Sequence, residues 1–143
     1  MKLEKSMGEV KVKVKLSNAA DIYQLLRGQI KSEQVRACEI EAVVDTGAVN
    51  SVIPREIAEK LELAVLKKQH AKYANAFTEE VDIATPILVE IEGRTTTDEP
   101  FILGDEVLIG QTVLEKTDLL VDCLHQRVIP NPEHPNGPVM KIR

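Results

Sequence analysis

One short stretch of the sequence places a carboxylate where it could do chemistry. In AVVDTGAVNSVIP, residues 42–54, Asp45 ends an apolar run and is followed at once by Thr46 and Gly47. An acid in that place costs stability unless its charge is hydrogen-bonded or useful. A hydroxyl and backbone N–H groups can orient such a carboxylate, and glycine permits the close turn. One carboxylate can bind a water, whereas two that share one proton supply a base and an acid at one site.

The elements around Asp45 are mainly strands. Residues 37–44 alternate apolar and polar side chains and become fully apolar before Asp45, which predicts a strand. Pro54 opens a short amphipathic helix. Further strands are predicted at residues 10–16, on both sides of ANAF (74–77), at 87–91, in two apolar runs between 101 and 109, and at DLLVD (118–122). A short helical piece is predicted after Gly110, and residues 18–36 are predicted to form either a short helix or a wide loop.

Composition agrees with a single β-rich domain. The chain has 143 residues, of which 43% are hydrophobic, 29% charged and only 3% aromatic, so the core must be built from Val, Ile, Leu and Ala. We therefore expect an all-β fold with few short helices. We place the domain at residues 1–130 and a Pro/Asn/Gly-rich tail at 131–143, in which VMKIR could add an edge strand at a dimer interface.

Charge and cysteine usage exclude several function classes. The net charge is −5 without a basic face, which argues against nucleic acid as a partner, and neither a membrane span nor a secretory signal is evident, so we expect a cytoplasmic protein. Cys38 and Cys123 have no paired spacing and are expected in the core. The three histidines, at positions 70, 125 and 134, lack ligand spacing, so no metal site is predicted.

Two motifs give the chain a family resemblance. VVDTGA, residues 43–48, and VLIG, residues 107–110, with QTVLEKTDLLVD after it, resemble the two signatures of the retropepsin-like aspartic proteases. The resemblance covers roughly residues 9–130 and is closest to small prokaryotic members. It implies a retropepsin-like closed β-barrel, the acid protease fold, with one lobe per chain and no metal or organic cofactor.

The resemblance also assigns roles to residues. Asp45 corresponds to the catalytic aspartate, Thr46 to the hydroxyl that braces the two loops across a dimer, and Gly47 and Ala48 to the rest of the loop. The hydrophobic support beneath the loop corresponds to Leu108, Ile109 and Gly110. Because no second Asp-Thr/Ser-Gly occurs, the resemblance implies a symmetric homodimer in which each subunit contributes one Asp45.

The flap of the family corresponds to KYANAFTEE, whose tip has no glycine. We expect Asn75 to take the left-handed turn position of a hairpin here. The candidate substrate contacts in this flap are Tyr73, Ala74, Asn75, Ala76 and Phe77.

The leading hypothesis is a homodimeric aspartic endopeptidase that hydrolyses an extended peptide or protein substrate with an acidic pH optimum. The alternative from another class is a non-catalytic dimerisation or peptide-binding module that keeps the acid loop without a working flap. An aspartyl-phosphate enzyme is a weaker alternative, because its Asp-Lys-Thr-Gly pattern is not met.

Overall fold

The computed structural model describes residues 9–142, and most of its regular structure is β. The strands are β1 (Val10–Asn18), β2 (Ala37–Val44), β3 (Val52–Ile53), β4 (Val65–Lys72), β5 (Thr78–Ala84), β6 (Ile87–Ile91), β7 (Arg94–Asp98), β8 (Phe101–Ile102), β9 (Leu108–Ile109), β10 (Leu119–Asp122) and β11 (Arg127–Pro130). The helices are α1 (Ala19–Leu26), α2 (Arg55–Lys60) and α3 (Gln111–Thr117), with a 3-10 turn at Ser32–Gln34. The predicted all-β class with few short helices is confirmed.

Nine of the strands form one curled sheet in the order β4-β5-β8-β3-β9-β2-β1-β6-β7, and β10 pairs with β11 in a separate hairpin. The sheet is a half-barrel whose edges in the described chain are β4 and β7, so the predicted barrel takes an open form here. Three strands, β3, β7 and β11, were not predicted from the sequence. β3 has only two residues, and the sequences of β7 and β11, RTTTD and RVIP, lack the alternation of apolar and polar side chains that identifies a strand.

The long antiparallel pair of β1 and β2 forms the centre of the domain. Val12, Val14 and Leu16 on β1 point into the core, while the lysines between them face solvent. Lys13 lies opposite Glu41 on β2, and the other lysines of the strand have acidic neighbours as well. The apolar face therefore fixes the register of β2, the strand that ends at Asp45.

A partly buried ion pair between Asp21 and Arg36 fixes the connection between β1 and β2. Asn18 caps α1 by accepting hydrogen bonds from the amides of Ala20 and Asp21. The carboxylate of Asp21, which is only 2% exposed, accepts hydrogen bonds from Nε, Nη2 and the amide of Arg36 at 2.6–2.9 Å. The hydrogen bonds from the Arg36 side chain hold the pKa of Asp21 below its usual value, despite the opposing effect of burial.

The C-terminal residues return to the end of α3. Asp118, in the left-handed conformation at the end of this helix, accepts hydrogen bonds from Asn131 Nδ2 and the amide of Val139, and it pairs with His134 Nδ1. Residues 138–142 have no regular structure, so a strand formed by VMKIR against a second copy stays a prediction.

Two other sequence-based expectations have different outcomes. Cys38 is buried as expected, but the expectation for Cys123 was wrong, because this residue lies in the exposed turn between β10 and β11. Within residues 9–142, no helix is long and apolar enough to cross a membrane.

Candidate active site

Asp45 follows directly after β2 and is held by the strand beside it. β9 runs parallel to the end of β2, with Val43 opposite Leu108 and Val44 opposite Ile109. The amide of Asp45 continues this pattern by donating a 2.9 Å hydrogen bond to the carbonyl of Ile109. Because β9 is hydrogen-bonded beside the end of β2, the apolar signature at residues 107–109 holds the backbone of Asp45 in place.

The loop after Asp45 turns back onto the aspartate itself. The amide of Gly47 donates to Asp45 Oδ1 at 3.0 Å, and the amide of Ala48 donates to the carbonyl of Asp45 at 3.1 Å. Asp45 is half-buried and Gly47 is exposed. One carboxylate oxygen is thus oriented by a backbone N–H group, while the other has no partner within the described residues.

The first turn of α3 supports the rest of the loop. The amides of Gly110, Gln111 and Thr112 donate hydrogen bonds to Ser51 Oγ at 3.2 Å, to the carbonyl of Ala48 at 2.7 Å and to that of Val49 at 3.2 Å, respectively. The first amides of a helix have no acceptor within the helix and need one from outside. The Asp45 loop supplies these acceptors, so loop and helix fix each other.

Gly110 is required by the closeness of this contact rather than by its backbone angles. Its φ of −86° is accessible to any residue. A Cβ at this position would lie 2.6 Å from the carbonyl oxygen of Val49 and 2.7 Å from the carbonyl carbon and oxygen of Asn50. This geometry gives a physical reason for the glycine that ends the VLIG motif.

Thr46 lies on the exposed side of the loop, at the rim of an open cleft of about 430 Å³. The remainder of the cleft is formed by α3 and β10 and includes Gln111, Leu114, Glu115 and Leu120. Leu120 is 45% exposed. The cleft is therefore partly apolar and open to solvent beside the predicted catalytic loop.

The flap prediction is correct in its outline as a hairpin, but the residue expected at its left-handed position was wrong. β4 and β5 form an antiparallel pair that begins at Lys72 and Thr78 and has a register shift near Val65. At the turn, the amide of Tyr73 donates to the carbonyl of Phe77. Ala76, with φ 67°, takes the left-handed position in place of Asn75. Asn75 comes one residue before the left-handed position. Its side chain instead accepts a hydrogen bond from the amide of Phe77.

The two aromatic residues of the flap stack on each other. The ring centroids of Tyr73 and Phe77 are 5.8 Å apart, and the Tyr73 hydroxyl donates to Glu79 at 2.6 Å. The hydrogen bond to Glu79 raises the pKa of Tyr73. Together with Ala74 and Asn75 these side chains line a separate, open surface cavity of about 570 Å³.

The structure thus divides the predicted site residues into two groups. The loop residues and their support lie together: Asp45, Thr46, Gly47, Ala48, Leu108, Ile109 and Gly110. The flap residues 73–77 lie on the hairpin at the sheet edge and line a different cavity from Thr46. The catalytic and substrate-binding roles of both groups stay predictions.

Sequence reasoning missed one part of the support. Ser51 is buried, and its amide donates to Asp98 Oδ2 at 2.9 Å. Ser51 lies six residues after Asp45, but nothing in RTTTD indicated that Asp98 would be buried behind it. Among residues 9–142, no group of three or more His, Cys, Asp or Glu side chains is arranged to hold a metal ion.

Comparison with known proteins decides the family. The sequence model described as gag-polyprotein putative aspartyl protease matches residues 26–116, well over half of the chain. The chain belongs to this family of retropepsin-like aspartic proteases. A comparison with curated protein sequences gave no match.

One solved structure agrees with this retropepsin-like assignment at the level of the fold. The retroviral protease-like domain of Ddi1 from Leishmania major is 17% identical, with a TM-score of 0.53, and the alignment covers 93% of this chain and 94% of that one. The protease of Simian Foamy Virus (mac) is 13% identical, with a TM-score of 0.47 and coverage of 73% and 90%.

Proposed function

We propose that this chain is an aspartic endopeptidase that acts as a homodimer and hydrolyses peptide bonds with a water activated by two Asp45 carboxylates. The observation that carries the proposal is the way in which Asp45 is held. Its amide is fixed by Ile109 and one carboxylate oxygen by the amide of Gly47, so the acid is positioned before any substrate binds. Membership of the retropepsin-like family supports the same chemistry.

The homodimer follows from the number of acids that the reaction needs. The chain contains one Asp-Thr-Gly, and general acid–base catalysis of this kind uses a base and an acid at the same centre. The exposed Thr46 and the partly apolar cleft beside it, with Leu114 and Leu120, are consistent with a second copy that covers this face. Each copy would then bring one Asp45 to the two-fold axis.

The proposed reaction proceeds through a tetrahedral intermediate. The ionised Asp45 takes a proton from water as the water oxygen forms a bond to the scissile carbonyl carbon, and the protonated Asp45 of the other copy donates its proton to the carbonyl oxygen. Collapse of the resulting diol breaks the C–N bond. The leaving amine takes a proton from the carboxyl group that was protonated in the first step, while one hydroxyl of the diol gives its proton to the other carboxylate, so the dyad returns to its singly protonated state. Because activity requires one shared proton, we expect an acidic pH optimum.

An extended peptide is the substrate class that suits the fold. The flap hairpin of β4 and β5 lies at one edge of the sheet. Within the described residues no strand pairs with the outer side of β4, so its backbone groups can pair with a bound peptide. The stacked Tyr73 and Phe77 offer apolar surface for substrate side chains. Backbone pairing with side-chain pockets at alternate positions is how extended peptides are commonly recognised.

The test is cleavage of a peptide library by the purified protein between pH 3 and 8, read by mass spectrometry. We expect new termini from the wild-type protein, with the highest rate at acidic pH. Asp45→Asn should lower the rate at least about 10²-fold. Asp105→Asn, which changes an exposed loop acid, is the matched control and should cleave as the wild type does. Equal cleavage by Asp45→Asn would remove Asp45 from the mechanism.

One observation favours the non-catalytic alternative. Ala76 holds the left-handed position of the flap turn, where glycine would adopt that conformation without strain. A flap of this kind could hold a peptide without releasing products quickly. Peptide binding that Asp45→Asn leaves unchanged, with no cleavage at any pH by the wild type, would support a peptide-binding module.

A further inference from the structure

We infer that Asp98 is a positioning residue for the Asp45 loop, an inference that rests on the proposed function for its kinetic consequence. Asp98 ends β7, the edge strand that the sequence did not reveal, and its side chain is buried at 8% exposure. Neither a lysine nor an arginine is paired with it in the described chain. Its two oxygens accept hydrogen bonds from backbone amides instead, that of Glu99 at Oδ1 and that of Ser51 at Oδ2, both at 2.9 Å.

Ser51 connects Asp98 to the catalytic loop. It is 1% exposed, its amide is bound by Asp98, and its Oγ accepts the amide of Gly110 at 3.2 Å. Gly110 begins the turn of α3 whose next two amides hold the carbonyls of Ala48 and Val49. Thus Asp98 fixes the end of the loop that starts at Asp45, and it acts through Ser51 rather than by contact with a substrate.

The other end of β7 holds the other end of the same helix. Arg94 is buried at 7% exposure, and its Nη1 donates to the carbonyls of Thr117 and Asp118 at 3.1 and 2.9 Å. Its Nη2 donates to the carbonyl of His134. A guanidinium group that binds the last carbonyls of a helix stabilises that end. α3 supports the Asp45 loop, and β7 restrains both ends of α3. Arg94 binds the C-terminal end of the helix, and Asp98 acts through Ser51 at the N-terminal end, next to the loop.

A buried carboxylate is a costly acceptor for two backbone amides, because a charge loses its hydration when it is buried. Hydrogen bonds to a charged acceptor are, in return, stronger than those between neutral groups and hold geometry more tightly. Small displacements of catalytic groups cost rate, since an error of about 1 Å can lower turnover about a hundredfold. Asp98 therefore keeps the Asp45 loop close to the geometry that the reaction requires.

The experiment compares Asp98→Asn and Asp98→Ala with Thr95→Ala, a control on the exposed face of the same strand. Folding and mass in solution are first checked for each protein by circular dichroism and ultracentrifugation. Amide hydrogen exchange is then measured for residues 46–51. We expect exchange in this loop to be faster by about tenfold or more in both Asp98 variants and unchanged in Thr95→Ala.

The kinetic readout separates positioning from general stability. Active sites are titrated with a peptide analogue that carries a secondary alcohol in place of the scissile carbonyl, so kcat refers to folded sites only. Asp98→Asn, which keeps one acceptor oxygen, should lower kcat by about tenfold with little change in KM, and Asp98→Ala should lower it further. Unchanged kcat per titrated site would overturn the inference.

The exchange measurement keeps the inference distinct from the proposed function. If the wild-type protein cleaves no peptide, the proposed function fails, and loop exchange alone decides whether Asp98 positions the loop. If loop exchange in both Asp98 variants equals that of the wild type, Asp98 is not a positioning residue, whatever the activity.

Discussion

The amide of Asp45 donates a 2.9 Å hydrogen bond to the carbonyl of Ile109, so the strand that presents the acid is joined to the strand that leads into α3. Two residues after Ile109 and three residues after Asp45, the amide of Gln111 donates to the carbonyl of Ala48. Loop and support therefore form one unit. Any change that separates α3 from the loop should therefore affect the position of Asp45.

Gly110→Ala tests this unit directly. A Cβ at Gly110 would overlap the backbone of Val49 and Asn50, so the loop must move away from α3. We expect the free energy of unfolding to fall by about 1–3 kcal/mol and peptide cleavage to fall with it. Urea titrations followed by circular dichroism measure the first effect, and the peptide assay measures the second.

The matched control is Gly104→Ala. A Cβ at Gly104 would meet open space, and the cost of about 1 kcal/mol arises only from its φ of +69°. Because Gly104 lies in an exposed bend, cleavage by this variant should equal that of the wild type. If Gly110→Ala behaves in the same way, the contact between loop and helix is not required for activity.

The pair of Asp21 and Arg36 should make stability depend on pH in the acid range. Since the folded-state pKa of Asp21 lies below its usual value of 3.8, the pair contributes stability above about pH 4, and this contribution is lost as the pH falls through the folded-state pKa. Asp21→Asn should lower the free energy of unfolding by about 1–3 kcal/mol at pH 7, because it leaves hydrogen-bond donors of Arg36 unsatisfied.

The measurement is a series of urea titrations from pH 7 to pH 3 for the wild type, Asp21→Asn and the exposed control Asp105→Asn. We expect the difference between the wild type and Asp21→Asn to be constant down to about pH 5 and to shrink below pH 4. A difference that stays the same down to pH 3 would show that the charge of Asp21 does not contribute.

The flap turn predicts opposite effects for two neighbouring alanines. Ala76 has φ 67°, so Ala76→Gly should relieve strain and stabilise the hairpin by up to about 1 kcal/mol. Ala74 is not in the left-handed region, so Ala74→Gly should weaken the hairpin by about 0.5–1 kcal/mol.

Hydrogen exchange of the Tyr73 amide, which closes the turn on the carbonyl of Phe77, reports the difference between these variants. Its exchange should be slower in Ala76→Gly and faster in Ala74→Gly than in the wild type. Changes of the same sign in both variants would mean that the strain at Ala76 does not govern the flap.

The part of the fold that the sequence predicts is the part built from regular apolar patterns. The alternation of Val and Lys in β1 and the apolar run before Asp45 identified the central strands, and the VLIG motif identified the support. The turn position of Ala76 was missed because a side-chain bond of Asn75 determines it. Asp98 was missed because its burial depends on β7 lying behind the loop, and such long-range packing leaves no local pattern.

The central claim is that each active site needs two Asp45 carboxylates from two chains. It is tested most directly by mixing wild-type protein with an equal amount of Asp45→Asn until differently tagged chains co-purify in statistical proportions. The proposed dimer predicts that cleavage falls to about a quarter of that of the same total amount of wild type, because about a quarter of the dimers then carry two Asp45 residues. Activity of about half or more would contradict the claim, since one Asp45 would then suffice.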